Sequence, residues 1–445
     1  MRSPFPMCLL ALALTGTAAG APPLASERAD LLLGRYLEAS DGKPAEEALR
    51  SLLNEKGSLD DWEAAIRRYR PPPPSRISPE GETIPLTLPD RKTVRCLVNV
   101  PPDYDGAKPV PLLIACHGTG CPCEDPQFHW WQHTSRAGYL LACPDFPLLP
   151  STGGVDKGWM FDPLERAAIL AALDAMKRRF NVDEDRVYLT GMSKGGHAAW
   201  DVGLRFPHLF AGIVPECSRP YNHGLPPLTP GFDYLENGRD LPVYHLQGDG
   251  DHPPMVKAVR EACRRLKELG GDVTYLELKG RPHGTYSDQY LGALEWMGRH
   301  VREPLHRRAF CRCHDLRYAR RAWIGITRFD GEVLGENSPL HLSPGMRQPL
   351  PEAFLASEEA RVLKRSALLD VEVAEPNHVV VRTEHVREFV LHIPDSLFDL
   401  SKPVCVTVNG RKAFEGSLAP SVEILLRTFA RERDRRRLVV AEIKV

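Results

Sequence analysis

Charge of one sign is missing from this chain: 57 Lys and Arg face 58 Asp and Glu, for a formal net charge of -1. No global field draws it to nucleic acid or anionic lipid, so nucleic acid is not expected among its partners. Long apolar runs are missing too. Beyond residue 20 nothing is long and apolar enough to span a bilayer, and the run at residues 7–14 falls far short of the roughly 20 residues a span needs. No transmembrane segment is therefore expected. Cysteine is sparse, with 11 in 445 residues, which is too thin for a disulfide scaffold. There is no internal repeat, and the only low-complexity stretch is Pro71-Pro72-Pro73-Pro74, so repeat architectures drop out.

What remains is an ordinary globular composition, 42% hydrophobic and 26% charged, with 41 Pro and 35 Gly to punctuate short elements. The length allows about three units, or two with long decorations. Residues 1–20 read as a signal peptide: Arg2, an apolar run, then the small-residue exit Thr17-Ala18-Ala19-Gly20-Ala21. A secreted or periplasmic location follows, with cleavage near residues 19–21. Cys8 lies inside the apolar run, so a lipid-modified cysteine is not expected there. The ten cysteines that remain permit disulfides without revealing their pairing, while Cys116 and Cys143 end apolar runs and read as buried free thiols.

Three regions differ in pattern. In residues 21–75 apolar positions recur at helical spacing, and Ser58 to Asp61 forms a capping box. The prolines at 71–74 then make a stiff spacer. In residues 76–304 short β-rich runs at 84–88, 94–100, 111–115, 139–143, 187–190, 212–215, 243–247 and 273–278 alternate with helical stretches at 163–180, 194–206, 255–269 and 286–301. That alternation predicts an α/β fold, a mostly parallel eight-stranded sheet covered on both faces and led in by two antiparallel strands, with functional loops at the strands' carboxyl ends. In residues 305–445 the helical rhythm fades into a β-rich accessory domain. A hairpin is expected around Asn409-Gly410, further strands at residues 389–393 and 438–445, and one helix near 422–429. The arginines at 431, 433 and 435–437 read as a solvated basic face.

Gly191-Met192-Ser193-Lys194-Gly195 stands between a β-rich run and a helix-forming run. Gly-x-Ser-x-Gly alone is weak, arising by chance in roughly one chain in seven of this size. Its context makes it specific. A nucleophilic serine on a tight strand-to-helix turn needs flanking glycines, because side chains there would strike neighbouring strands. The following helix N-terminus favours developing negative charge.

On this motif, on Leu97-Val98-Asn99-Val100-Pro101-Pro102-Asp103-Tyr104 leading into Leu112-Leu113-Ile114-Ala115-Cys116-His117-Gly118-Thr119-Gly120, and on the acid and histidine segments below, residues 77–304 resemble an α/β-hydrolase catalytic domain. Within that superfamily the likeness is to secreted polyester-depolymerase and feruloyl-esterase-like enzymes, and to the catalytic domain of prolyl-oligopeptidase-type peptidases. The resemblance implies the order Ser, then Asp or Glu, then His. An acid three positions after a loop glycine is Asp251, with Asp249 the runner-up and Glu216 a second possible acid after the strand that follows the elbow. The base implied by order and loop position is His283. His245 reads as a core residue, His252 is too close to Asp251, His197 faces the interior and His117 is structural. The oxyanion hole would be the amides of Lys194 and Thr119.

Cys121, Cys123, His129 and His133 cluster in sequence, but Cys-x-Cys is not the usual zinc spacing and the His pair lacks the Glu of a metallopeptidase helix. Cys311, Cys313 and His314 are equally ambiguous. No metal or cofactor is expected. Trp130, Trp131 and Trp159 line an acyl pocket or pack loops. The reading is an exported serine hydrolase acting on small-molecule or polymer-linked esters by acyl-enzyme chemistry. Its rivals are a prolyl-oligopeptidase-like peptidase and a non-catalytic binding protein on a hydrolase fold.

Overall fold

A computed structural model describes residues 26–39, 42–72, 80–147, 159, 162–220, 234–333 and 365–445. The signal-peptide reading, Cys8 and the last two prolines of the spacer lie outside the described residues.

The central sheet follows from strands that are apolar on both faces. Val110–Cys116 (β3), Leu140–Pro144 (β4) and Gly212–Glu216 (β6) are buried almost end to end, which requires helices on both sides. With Glu82–Thr87 (β1), Thr93–Asn99 (β2), Val182–Met192 (β5), Val243–Gly248 (β7) and Val273–Leu278 (β8) they form one eight-stranded sheet in the order β1-β2-β4-β3-β5-β6-β7-β8. From β4 to β8 every pairing is parallel; β2 runs against both its neighbours. All eight expected strands are present.

Helices Glu124–Thr134 (α4) and Tyr290–Arg299 (α8) cover one face, where Trp130 stacks on Tyr290 with ring centres 3.6 Å apart. Such a pair contributes roughly 1 kcal/mol beyond the area it buries. Pro163–Arg179 (α5), Lys194–Arg205 (α6) and Pro253–Glu268 (α7) cover the other. Helix α5 opens with Asp162 and Glu165 in a capping box and Pro163 in its first turn, a start signal that stabilises the helix by about 1 kcal/mol. Helix α8 begins later than the spacing predicts, because residues 287–289 form a 3-10 turn first.

Ser26–Glu38 (α1), Lys43–Leu53 (α2) and Leu59–Arg68 (α3) form the N-terminal helical segment, and Ser58 and Asp61 make the expected capping box. Their apolar faces share a core with Leu425, Leu426 and Phe429 of Val422–Glu432 (α9), near the other end of the chain. The remaining strands make a five-stranded sheet that includes the hairpin at Asn409-Gly410, and a four-stranded sheet in which Val386–Pro394 pairs with Val439–Lys444.

The basic cluster is a solvated face only at Arg431 and Arg436. Arg433, Arg435 and Arg437 are buried. Arg435 Nε donates to Glu184 at 2.6 Å, Arg436 to Asp185 at 2.7 Å, and Arg433 to the Leu37 carbonyl at 2.6 Å. Asp434 and Asp185 share Arg302, each at 2.8 Å. Acceptors on β5 make Arg435 and Arg436 ties between the C-terminal segment and the central sheet, and Arg433 ties that segment to α1; removing one partner of a buried pair such as Arg435–Glu184 costs about 3–5 kcal/mol.

Candidate active site

Strand β5 ends at Met192 and α6 begins at Lys194, so Ser193 is the entire turn. It holds φ 56° and ψ -117°, a left-handed backbone that costs a non-glycine residue about 1–3 kcal/mol. Its amide donates to Glu216 O at 3.0 Å, which ties the elbow to β6. The flanking glycines are obligatory. A Cβ at Gly195 would lie 2.1 Å from Cys116 O, one at Gly191 2.4 Å from the Gly195 carbonyl carbon, and one at Gly196 2.5 Å from Ser218 Oγ. Ser193 is half-buried at the first turn of α6, where amides lack helical partners.

Two strands along, the loop after β7 carries Asp251. Its carboxylate accepts from His283 Nδ1 at 2.9 Å, from Gln247 Nε2 at 2.8 Å and from the His252 amide at 2.6 Å. Burial pulls this carboxyl upward, but the three donors outweigh it and hold Asp251 below the ordinary aspartate value. Asp249 is exposed and accepts from the Gly280 amide at 2.5 Å, so it braces the two loops and leaves the histidine to Asp251. Gly248 permits that approach: a Cβ there would sit 2.1 Å from Arg281 O. His283 lies in the loop after β8 with its side chain 41% exposed, as access for a substrate requires.

Glu216 and Cys217 join the elbow to the histidine loop. Glu216 is fully buried and accepts from Tyr290 Oη at 2.9 Å and from the Tyr286 amide at 3.3 Å, and does not touch His283. Burial pushes its carboxyl up to about 8 even though both donors pull it down. Cys217, at φ 45°, has Tyr286 Oη at 2.9 Å and Gly284 O at 3.2 Å from its sulfur, and its one thiol proton is donated to one of them. Ser193 and the loop that carries His283 are thus both tied to the end of β6, through Glu216 and the Cys217 that follows it. No hydrogen bond joins the Ser193 hydroxyl to His283 among the described residues; such contacts commonly tighten only when substrate binds.

The loop after β3 lies against the elbow from the other side. Gly118 packs so that a Cβ would meet Met192 Cε at 3.0 Å, and His117 O lies 2.7 Å from where a Cβ on Gly195 would stand. His117 is buried, and its carbonyl accepts from Trp159 Nε1 at 3.1 Å, in keeping with a structural role. Thr119 occupies the exposed turn that follows, closed by the Cys121 amide donating to Gly118 O at 3.3 Å. The residues offered for the oxyanion hole, Thr119 and Lys194, therefore belong to two packed segments.

Other candidates separate. His245 is buried between Trp200 and Tyr275, and burial drives its imidazole down to about 3. His197 is buried with Nδ1 2.8 Å from Arg219 O, and His252 is exposed. The donor atoms of Cys121, Cys123, His129 and His133 do not gather into a metal-ligating group among the described residues, nor do those of Cys311, Cys313 and His314. All ten described cysteines are free thiols. Trp130 and Trp159 are buried, Trp130 against Tyr290 and Trp159 donating to His117 O. Sequence reasoning missed Gln247, which shares the Asp251 oxygen with His283, and missed Cys217. An inward-facing polar residue four positions before the acid was the available signal for Gln247.

No family model matches the chain. It is 27% identical over 150 residues to a bifunctional acetylxylan esterase/xylanase of Neocallimastix patriciarum, a match covering 32% of this chain and 19% of that protein. Among solved structures it is similar to a thermostable esterase (22% identity, TM-score 0.41, 50% of this chain and 64% of that one). It is also similar to an S-formylglutathione hydrolase from Agrobacterium tumefaciens (17%, 0.39, 51% and 98%) and to an acylaminoacyl peptidase from Pyrococcus horikoshii (15%, 0.40, 50% and 42%). The strand order, the single reversed strand β2 and the strained serine between β5 and α6 make this an α/β-hydrolase fold.

Proposed function

We propose that the protein is a serine hydrolase that cleaves carboxylic esters through an acyl-enzyme intermediate, with Ser193 as nucleophile, His283 as base and Asp251 as its orienting acid. The observation that carries this reading is the 2.9 Å Asp251–His283 pair on the same sheet rim as a serine held at positive φ. His283 takes the Ser193 proton as the hydroxyl attacks the ester carbonyl, then returns it to the departing alcohol; Asp251 keeps Nδ1 protonated so that Nε2 is free to accept. The amides of Thr119 and Lys194 stabilise the oxyanion, each worth roughly a hundredfold to a thousandfold in turnover. Water then repeats the sequence on the acyl-enzyme. The acetylxylan esterase named above favours ester over peptide substrates, and the signal-like residues 1–20 favour action outside the cytoplasm on small-molecule or polymer-linked esters. Residues 76–304 would be the catalytic unit and residues 305–445 an accessory one.

A panel of short p-nitrophenyl esters and peptides, run on the wild type and Ser193→Ala, tests the reading. Ester turnover in the wild type, its loss in a folded Ser193→Ala variant and inert peptides are expected. Preferred cleavage of peptides would make it a peptidase, and equal turnover by both proteins would remove Ser193 as nucleophile. Failure of a fluorophosphonate to label the wild type would leave a non-catalytic binding protein.

A further inference from the structure

One nucleophilic side chain at the rim is unused by the chemistry above. Cys217 is fully buried, yet its sulfur sits beside the acid and the base: Sγ, a carboxylate oxygen of Asp251 and a ring nitrogen of His283 all lie within 4.8 Å of one another. We propose that Cys217, Asp251 and His283 form an inhibitory site for a thiophilic divalent cation, zinc being the ion whose chemistry fits; the inhibition, though not the binding, rests on the hydrolase reading.

The donor set is one sulfur, one imidazole and one carboxylate, the three ligand types zinc prefers, and a three-residue set leaves the fourth position for water. Ligand atoms around tetrahedral zinc stand about 3.3–3.6 Å apart, given bonds of about 2.0–2.3 Å. The gap is closed by side-chain rotation of His283, which is on an exposed loop and 41% accessible, and this also supplies the route of entry. Outer partners are already in place. Gln247 Nε2 and the His252 amide hold the carboxylate, and the Gly284 amide, 3.5 Å from Sγ, points a donor at the sulfur. Hard ions such as magnesium are poorly served by a thiolate.

Zinc binding exchanges the thiol proton for the metal, and that proton leaves to solvent; nothing is oxidised or reduced. The thiolate is the ligand, so the metal must displace the thiol proton. Either ring nitrogen gives the same result. Metal on Nε2 occupies the lone pair that would accept the Ser193 proton, and metal on Nδ1 forces the remaining proton onto Nε2.

The test uses the full chain, freed of metal with EDTA, as wild type, Cys217→Ser and His283→Ala. Zinc binding is read in all three by competition with a chromophoric chelator, and in wild type and Cys217→Ser ester turnover and fluorophosphonate labelling are followed at each zinc concentration relative to each protein's own metal-free rate. Expected are one zinc per wild-type chain, parallel loss of turnover and labelling reversed by EDTA, and binding weakened by about tenfold or more in Cys217→Ser and in His283→Ala. Magnesium should not inhibit. The proposal is overturned by equal zinc sensitivity in Cys217→Ser and wild type, by absence of wild-type binding, or by equal inhibition with magnesium. A metal-free wild type without ester turnover would defeat the hydrolase reading, while the chelator titration would still decide the metal site.

Discussion

Replacing Glu216 by Gln tests the buried clasp between the elbow and the histidine loop through its pH signature. The carboxyl is fully buried, faces Tyr290, Tyr286 and Cys217, and has no cationic partner among its contacts, so burial pushes it from an ordinary 4.5 up to about 8. Between those values the folded chain keeps a proton that the unfolded chain has released, so stability falls as pH rises from about 4.5 to about 8 and then levels off. At about 1.4 kcal/mol per unit, the loss is on the order of 5 kcal/mol across the window, most of it already present at pH 7. Gln is the uncharged counterpart: its oxygen accepts from the Tyr286 amide and its NH₂ meets Tyr290 Oη. The difference in unfolding free energy, Glu216→Gln minus wild type, should therefore climb steadily from pH 5 to pH 8. Denaturant titration followed by tryptophan fluorescence at four pH values reads this directly. A protonated-carboxyl infrared band that persists at pH 7 and is absent from Glu216→Gln would accompany it. A stability difference flat across the window would refute the argument, because an already ionised Glu216 could not produce a slope there.

Asp251→Asn should keep the fold but lower ester kcat by about a thousandfold to ten-thousandfold, because the amide no longer holds Nδ1 protonated; burst kinetics with a chromogenic ester would measure it, and a loss under tenfold would mean another group orients His283. Gly195→Ala should fail to fold or lose all turnover, since its methyl would stand 2.1 Å from Cys116 O; a normal melting temperature with wild-type kcat/KM would contradict the packing of the elbow.

The inner strands of the central sheet were legible because both their faces are apolar, so runs such as Leu112-Leu113-Ile114-Ala115 announce themselves without alternation, while the edge strand β1 alternates. The elbow was legible for a local reason: a strand, a serine and a helix within a dozen residues impose glycine wherever a Cβ would strike the adjacent strands. The order along the chain then pointed to Asp251 and His283. Helix α4, by contrast, is not among the helices expected from the sequence, because its apolar residues Trp130 and Trp131 are consecutive and give little helical periodicity.

The arginines at 433, 435 and 437 show where a linear reading stops. The side chains of Arg433 and Arg435 look like part of a solvated patch until Leu37 and Glu184, hundreds of residues away in the chain, arrive as acceptors, whereas Arg437 pairs locally with Glu432. The same holds at the rim. That Asp251 and not Asp249 receives His283, that burial raises the Glu216 carboxyl, and that Cys217 lies beside the acid and the base depend on which loops the sheet brings side by side. Local sequence determines backbone geometry and which faces are apolar. Desolvation and pairing between distant side chains are properties of the assembled interior, and only the tertiary structure decided them.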